Sequence, residues 1–160
     1  GEFKNLIVVR AFTKIFAIPG VRLGYLVCEN KAVKERIKDQ LPEWNLSVFA
    51  QRAGAAAAGE EDYRRKTVTF LKEERSYLVT QLEKLGIRVF PGAADFLLLY
   101  SELPLYEELL KQGILIRDCS NFRGLKTGYY RIAVKTRGEN DRLLRALAEI
   151  CADKKEREGA

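Results

Sequence analysis

The chain has no histidine among its 160 residues, and that absence removes more chemistry than any other feature of its composition. Histidine is the commonest general base, so both the Ser–His and the Cys–His nucleophile pairs are excluded. A zinc site loses its usual nitrogen ligand as well. Cysteine is scarce too. Cys28, Cys119 and Cys151 are odd in number, far apart and without a C-x-x-C pair, so they read as buried or inert thiols and no metal site is expected. Among nitrogen bases this leaves lysine, which works only where its surroundings activate it. No apolar run approaches the roughly eighteen residues that a membrane span requires. The N-terminus lacks the layout of a signal peptide, so a cytoplasmic protein with no membrane partner is expected. Low-complexity tracts and internal repeats are also missing.

What remains is an ordinary globular composition, 47% hydrophobic and 31% charged, long enough for one domain or two small ones with a real core. The net charge of +6 favours anionic partners. It does not point to nucleic acid, because residues 61–75 (EDYRRKTVTFLKEER) interleave bases with acids, as a solvated helix face does. The surplus suits phosphate and carboxylate groups on small ligands.

Apolar and β-branched runs predict a buried strand at residues 5–10 (NLIVVR) and a second strand at 23–28 (LGYLVC). A short helix is expected over residues 31–40, capped by Asn30 and stopped before Pro42. An Ala-rich helix should follow, reaching about residue 58, with Asn45 or Ser47 as its cap. From 60 to 85 the pattern is that of a long amphipathic helix, with Tyr63, Phe70, Leu71, Leu78, Leu82 and Leu85 on one face and Gly86 ending it. Strands are then expected at 87–90, 96–100, 114–116 and 129–134, with helices at 104–112 and 140–151. Short strands among helices predict an α/β or α+β sandwich, divided within the long helix.

Residues 11–25 (AFTKIFAIPGVRLGY) carry the most information. Lys14 lies at the end of an apolar strand, in a turn of small and apolar residues, and Arg22 follows eight positions later. Desolvation lowers a lysine's pKa and frees its amine for attack on a carbonyl. Arginine offers a bidentate fork to a phosphate, Thr13 adds a hydroxyl, and Gly20 and Gly24 permit turns and close backbone approach. On the residues alone, a surface lysine and a surface arginine in a loop fit as well.

This segment resembles the pyridoxal-phosphate attachment motif of the class I/II aminotransferases, which have the aspartate-aminotransferase fold. The order is a hydroxyl residue, the lysine, a short apolar stretch, then small residue–glycine–x–arginine–x–glycine. The resemblance implies that Lys14 holds pyridoxal 5′-phosphate through its amine, that Arg22 binds the phosphate, and that Thr13 is a second phosphate ligand. Where many members carry Ser or Thr three residues before the lysine, this chain has Ala11. Residues 128–134 (GYYRIAV) and 136–140 (TRGEN) are similar to the region bearing the arginine that clamps the substrate α-carboxylate, which implies that role for Arg131. Residues 113–125 (GILIRDCSNFRGL) are similar to the threonine-phosphate decarboxylases of cobalamin synthesis. That similarity places Arg117, fourteen positions before Arg131, at the substrate's second anionic group. Residues 42–47 (PEWNLS) resemble a segment approaching the active site and make Asn45 a substrate contact, a helix cap being the other reading.

The resemblance therefore implies the C-terminal portion of a fold-type I pyridoxal-phosphate transferase. Residues 1–70 would end the large cofactor domain, 71–153 would form a small C-terminal α/β domain, and 154–160 a frayed tail. The upstream phosphate loop, the ring-stacking aromatic, the asparagine and the aspartate at the pyridine nitrogen are expected outside this chain. The chain alone is thus expected to be inactive. The expected activity is decarboxylation of L-threonine O-3-phosphate to aminopropanol phosphate by a homodimeric intact enzyme acting on a phosphorylated amino acid. A histidinol-phosphate aminotransferase is the alternative within the family, and a non-catalytic interaction domain the alternative outside enzymes.

Overall fold

The computed structural model describes Phe3 and residues 5–158. The chain forms two compact units, one ending at Thr67 and the other starting at Val68, so the division falls within a long helix.

In the first unit, β1 (Ile7–Ala11) pairs antiparallel with β2 (Gly24–Cys28), in register from Ile7↔Cys28 to Ala11↔Gly24. Helix α1 (Lys31–Lys38) is capped by the Asn30 side chain, which accepts from the Val33 amide. Helix α2 (Val48–Ala58) is capped by Ser47, whose Oγ accepts from the Ala50 amide. Helix α3 (Glu61–Lys84) begins here. Among the described residues of this unit, the buried apolar side chains are Leu23, Cys28 and Ala50. Gly54 makes room for Leu23, since a Cβ there would lie 2.6 Å from Leu23 Cδ2.

The expected burial of β1 is corrected by the structure. All five of its residues are exposed, Val9 at 75%. A continuous apolar run suits a strand covered on both faces, yet β1 has a single strand neighbour and little covering it. The apolar residues after α1 are likewise open, with Trp44 94% and Phe49 85% exposed.

The second unit is a two-layer α+β sandwich. Its sheet has the order β3-β4-β6-β5 with every pair antiparallel: β3 (Arg88–Val89), β4 (Phe96–Tyr100), β5 (Arg117–Asp118) and β6 (Tyr129–Ala133). Leu97, Leu99, Tyr130 and Ile132 project from one sheet face. They meet Leu78 and Leu82 of α3, Leu105 and Leu109 of α4 (Leu105–Lys111), and Leu143, Leu147 and Ile150 of α5 (Arg137–Glu158). Helices α3 and α4 both end on glycines in the left-handed region. The Ile87 amide reaches Leu82 O and the Gly86 amide reaches Glu83 O; Ile114 to Leu109 and Gly113 to Leu110 repeat the pattern. These are Schellman closures.

Three further expectations are corrected. The strand expected at 114–116 lies at Arg117–Asp118 instead, because Ile116 turns into the core before pairing begins. The apolar face of α3 is buried only toward its C-terminal end: Leu78 and Leu82 are inside, Tyr63 and Phe70 exposed. The closing helix runs past residue 151 to Glu158, so the stretch expected to fray is helical that far, and residues 159–160 lie outside the described ones.

Candidate functional site

The loop between β1 and β2 holds Thr13, Lys14 and Arg22. Its ends are tied by the Phe12 amide donating to Leu23 O at 3.1 Å, and Phe12 stacks on Phe16 with ring centroids 5.4 Å apart. Phe16 stacks in turn on Tyr63 of α3. Within this frame Thr13 is half-buried, while Lys14 is exposed. The desolvated pocket expected around Lys14 is therefore not built by this chain. The surrounding apolar side chains pack on one another and leave the lysine outside.

Arg22 follows the 3₁₀ turn Pro19–Val21 and sits in the left-handed region at φ 55° and ψ 46°. Ala17 shares that conformation at φ 53°. A non-glycine residue held there costs about 1–2 kcal/mol, and such strain collects at functional sites. Arg22 Nη1 donates to Pro19 O at 3.2 Å, which holds one arm of the guanidinium, and among the described residues its other N–H groups have no acceptor. A Cβ at Gly24 would lie 2.8 Å from Arg10 O, so the pairing of β1 with β2 itself requires a glycine there. Asn45 is exposed and is not the helix cap.

In the second unit the register sets Arg117 of β5 directly opposite Arg131 of β6. Tyr130 and Ile132 enter the core, so Arg131 faces outward by strand alternation. Its guanidinium lies 5.0 Å from the Phe96 ring centroid, and that of Arg117 lies 5.4 Å from Phe122. Arg117 Nη2 also donates to Asn121 Oδ1 at 3.1 Å. Among the described residues neither arginine has a carboxylate partner within ion-pair distance. Like charges set directly opposite on a sheet destabilise it, and an anion between them would remove that cost. Burial pushes the Cys119 thiol up, against the smaller pull of Arg131 and Arg117.

Asn121 and Phe96 were not singled out in the sequence. Their roles depend on the turn after β5 and on the β4–β6 register, which residue spacing does not state. Glu74 was missed as well. It lies in a stretch that reads as a solvated face, yet it is buried and takes a bidentate pair from Arg137 and a bond from Asn140 Nδ2. The bonds from Arg137 hold Glu74 below the usual carboxylate range, against burial that pushes it up. This cluster ties α3 to the start of α5. The described residues contain no group of acids and cysteines able to hold a metal.

Residues 2–147 match the family model "Aminotransferase class I and II". The chain belongs to that family. Pyridoxal 5′-phosphate is the family's cofactor. Over 147 residues the chain is 40% identical to a threonine-phosphate decarboxylase of Salmonella typhimurium, covering 89% of this chain and 40% of that protein. It is 34% identical to a histidinol-phosphate aminotransferase of Methanosarcina mazei, covering 91% of this chain and 39% of that one. The crystal structure of a histidinol-phosphate aminotransferase from Clostridium acetobutylicum superposes with a TM-score of 0.90 at 36% identity, covering 94% of this chain and 47% of the other. The chain thus spans less than half the length of these relatives. An aminotransferase-family cofactor carries a phosphate and a carbonyl, and the β1–β2 loop presents an exposed amine and a partly open guanidinium, a donor set that fits both.

Proposed function

We propose that this chain is the lysine- and arginine-bearing part of a pyridoxal-phosphate enzyme that decarboxylates L-threonine O-3-phosphate to aminopropanol phosphate. The observation that carries the reading is the opposed, unneutralised pair Arg117 and Arg131, which suits a substrate with two anionic groups. The 40% identity to the Salmonella decarboxylase supports it.

When bound, pyridoxal phosphate supplies an electron sink for the pair released as a bond at the substrate's Cα breaks. The chain's own residues do the rest. In the first unit Lys14 would hold the cofactor through its amine, and that amine is the chain's candidate for carrying a proton to or from the substrate carbon. Arg22 grips the cofactor phosphate with the N–H groups that Pro19 O leaves free, and Thr13 adds a hydroxyl donor. In the second unit Arg131 holds the α-carboxylate by its fork, and Arg117 meets the substrate phosphate or reinforces the carboxylate. Holding both ends of the substrate fixes which Cα bond stands ready to break, and so selects carbon dioxide loss over proton removal. Asn45 is assigned a substrate contact.

A histidinol-phosphate aminotransferase is the second reading, favoured by the TM-score of 0.90 to the Clostridium structure. Product analysis on the intact enzyme separates the two. Carbon dioxide and aminopropanol phosphate from O-phospho-L-threonine support the decarboxylase. Amino transfer from histidinol phosphate to a keto acid, without carbon dioxide, supports the aminotransferase.

A further inference from the structure

Arg117 and Arg131 face each other with no acid between them among the described residues, although an acid is next in sequence to Arg117. Asp118 pairs with Tyr130, whose ring enters the core, so alternation takes the Asp118 side chain off the arginine face. Both of its oxygens are also engaged: Oδ1 accepts from the Ser120 amide at 2.8 Å and Oδ2 from Ser120 Oγ at 2.9 Å. The chain then closes tightly, with the Phe122 amide on Cys119 O and the Leu125 amide on Phe122 O, each at 3.0 Å. This turn returns Asn121 and Phe122 to Arg117. We infer that Asn121 is a positioning residue for Arg117: its neutral amide oxygen aims the guanidinium at an anionic substrate group without neutralising it.

The inference rests on the assignment of Arg117 to a substrate anion. An amide oxygen takes one arm of the fork and leaves the remaining N–H groups, with the full positive charge, to the ligand. A carboxylate at the same position would orient the fork equally well but would satisfy the charge and compete with substrate. That difference separates a positioning role from a structural one, because aspartate is nearly isosteric with asparagine and keeps the acceptor.

The test is steady-state kinetics of the intact, cofactor-loaded enzyme with O-phospho-L-threonine, for Arg117→Ala, Asn121→Ala and Asn121→Asp. The inhibition constant of inorganic phosphate is measured alongside. Asn121→Ala should raise KM about tenfold, as loss of a hydrogen bond to a charged group does, with kcat changed much less. Asn121→Asp should raise KM further, toward the Arg117→Ala value, and weaken phosphate inhibition in parallel. An Asn121→Asp enzyme indistinguishable from wild type would overturn the positioning role and leave Asn121 as part of the turn. If Arg117→Ala raises KM while both Asn121 variants do not, the inference fails and the Arg117 assignment stands. An unchanged KM in Arg117→Ala overturns the assignment, and the inference with it.

Discussion

Two arginines on facing strands, with no acid between them among the described residues, are the feature from which the substrate reading grows. Removing Arg131, which is exposed in the free chain, should impair turnover of every amino-acid substrate by roughly 2–5 kcal/mol in kcat/KM, the cost of losing one partner of a charge pair that bound substrate buries. Arg117→Ala should harm phosphothreonine far more than threonine. Equal losses for both substrates would reject the phosphate assignment. Arg117→Lys should retain part of the rate that Arg117→Ala loses, since lysine keeps the charge and lacks the planar fork. A second residue-scale prediction concerns acid. At the start of α5 the Thr136 amide and Oγ1 both donate to Glu139 Oε2, at 3.3 and 2.7 Å, and Lys135 Nζ lies 2.6 Å from Glu139 Oε1. The bond from Lys135, then those from Thr136, hold Glu139 down at about 2. Glu74 is also depressed. Because these pKa values are lowered in the folded chain, their contribution to stability is complete above the ordinary value of 4.5 and fades as pH falls below it, for Glu139 toward about 2. Denaturation midpoints followed from neutral pH into that range should drop, and Glu139→Gln should flatten the drop. An unaltered pH profile in that variant would remove Glu139 from the account.

At the scale of elements, periodicity located α1, α2, α3 and β4 closely, and the glycine after α3 marked its end. It failed where tertiary packing decides. The face of α3 has apolar residues from Tyr63 to Leu85, but the sheet and α5 cover only its C-terminal part. Leu82→Ala should therefore cost about 2–5 kcal/mol in chemical denaturation, and Tyr63→Ala much less. Comparable losses at the two positions would mean that the helix is buried along its length. Glu74 shows the opposite failure. A charge within a basic and acidic run is buried because Arg137 and Asn140, more than sixty residues away, supply its partners. No local pattern encodes that. The same holds for β5, whose place depends on which strand it meets.

Across the whole molecule, stability and chemistry are unevenly distributed. The second unit holds the main core, whereas β1 and the residues after α1 leave much of their apolar surface open. Limited proteolysis should cut first between residues 39 and 60 and leave 68–158 as the resistant product. Initial cleavage within β4 or β6 would contradict this distribution. The family was legible because an unbroken local segment carries the resemblance, and the family match over residues 2–147 shows it. The exposure of Lys14 was not legible, because burial depends on what packs around a loop and not on the loop's own sequence. The central claim is that Lys14 holds the cofactor, and one experiment addresses it directly. The intact enzyme, loaded with pyridoxal phosphate and reduced with borohydride, is digested and its labelled peptides mapped. The account predicts label on Lys14, and on Lys14 alone; label on any other lysine, with Lys14 unmodified, would contradict it.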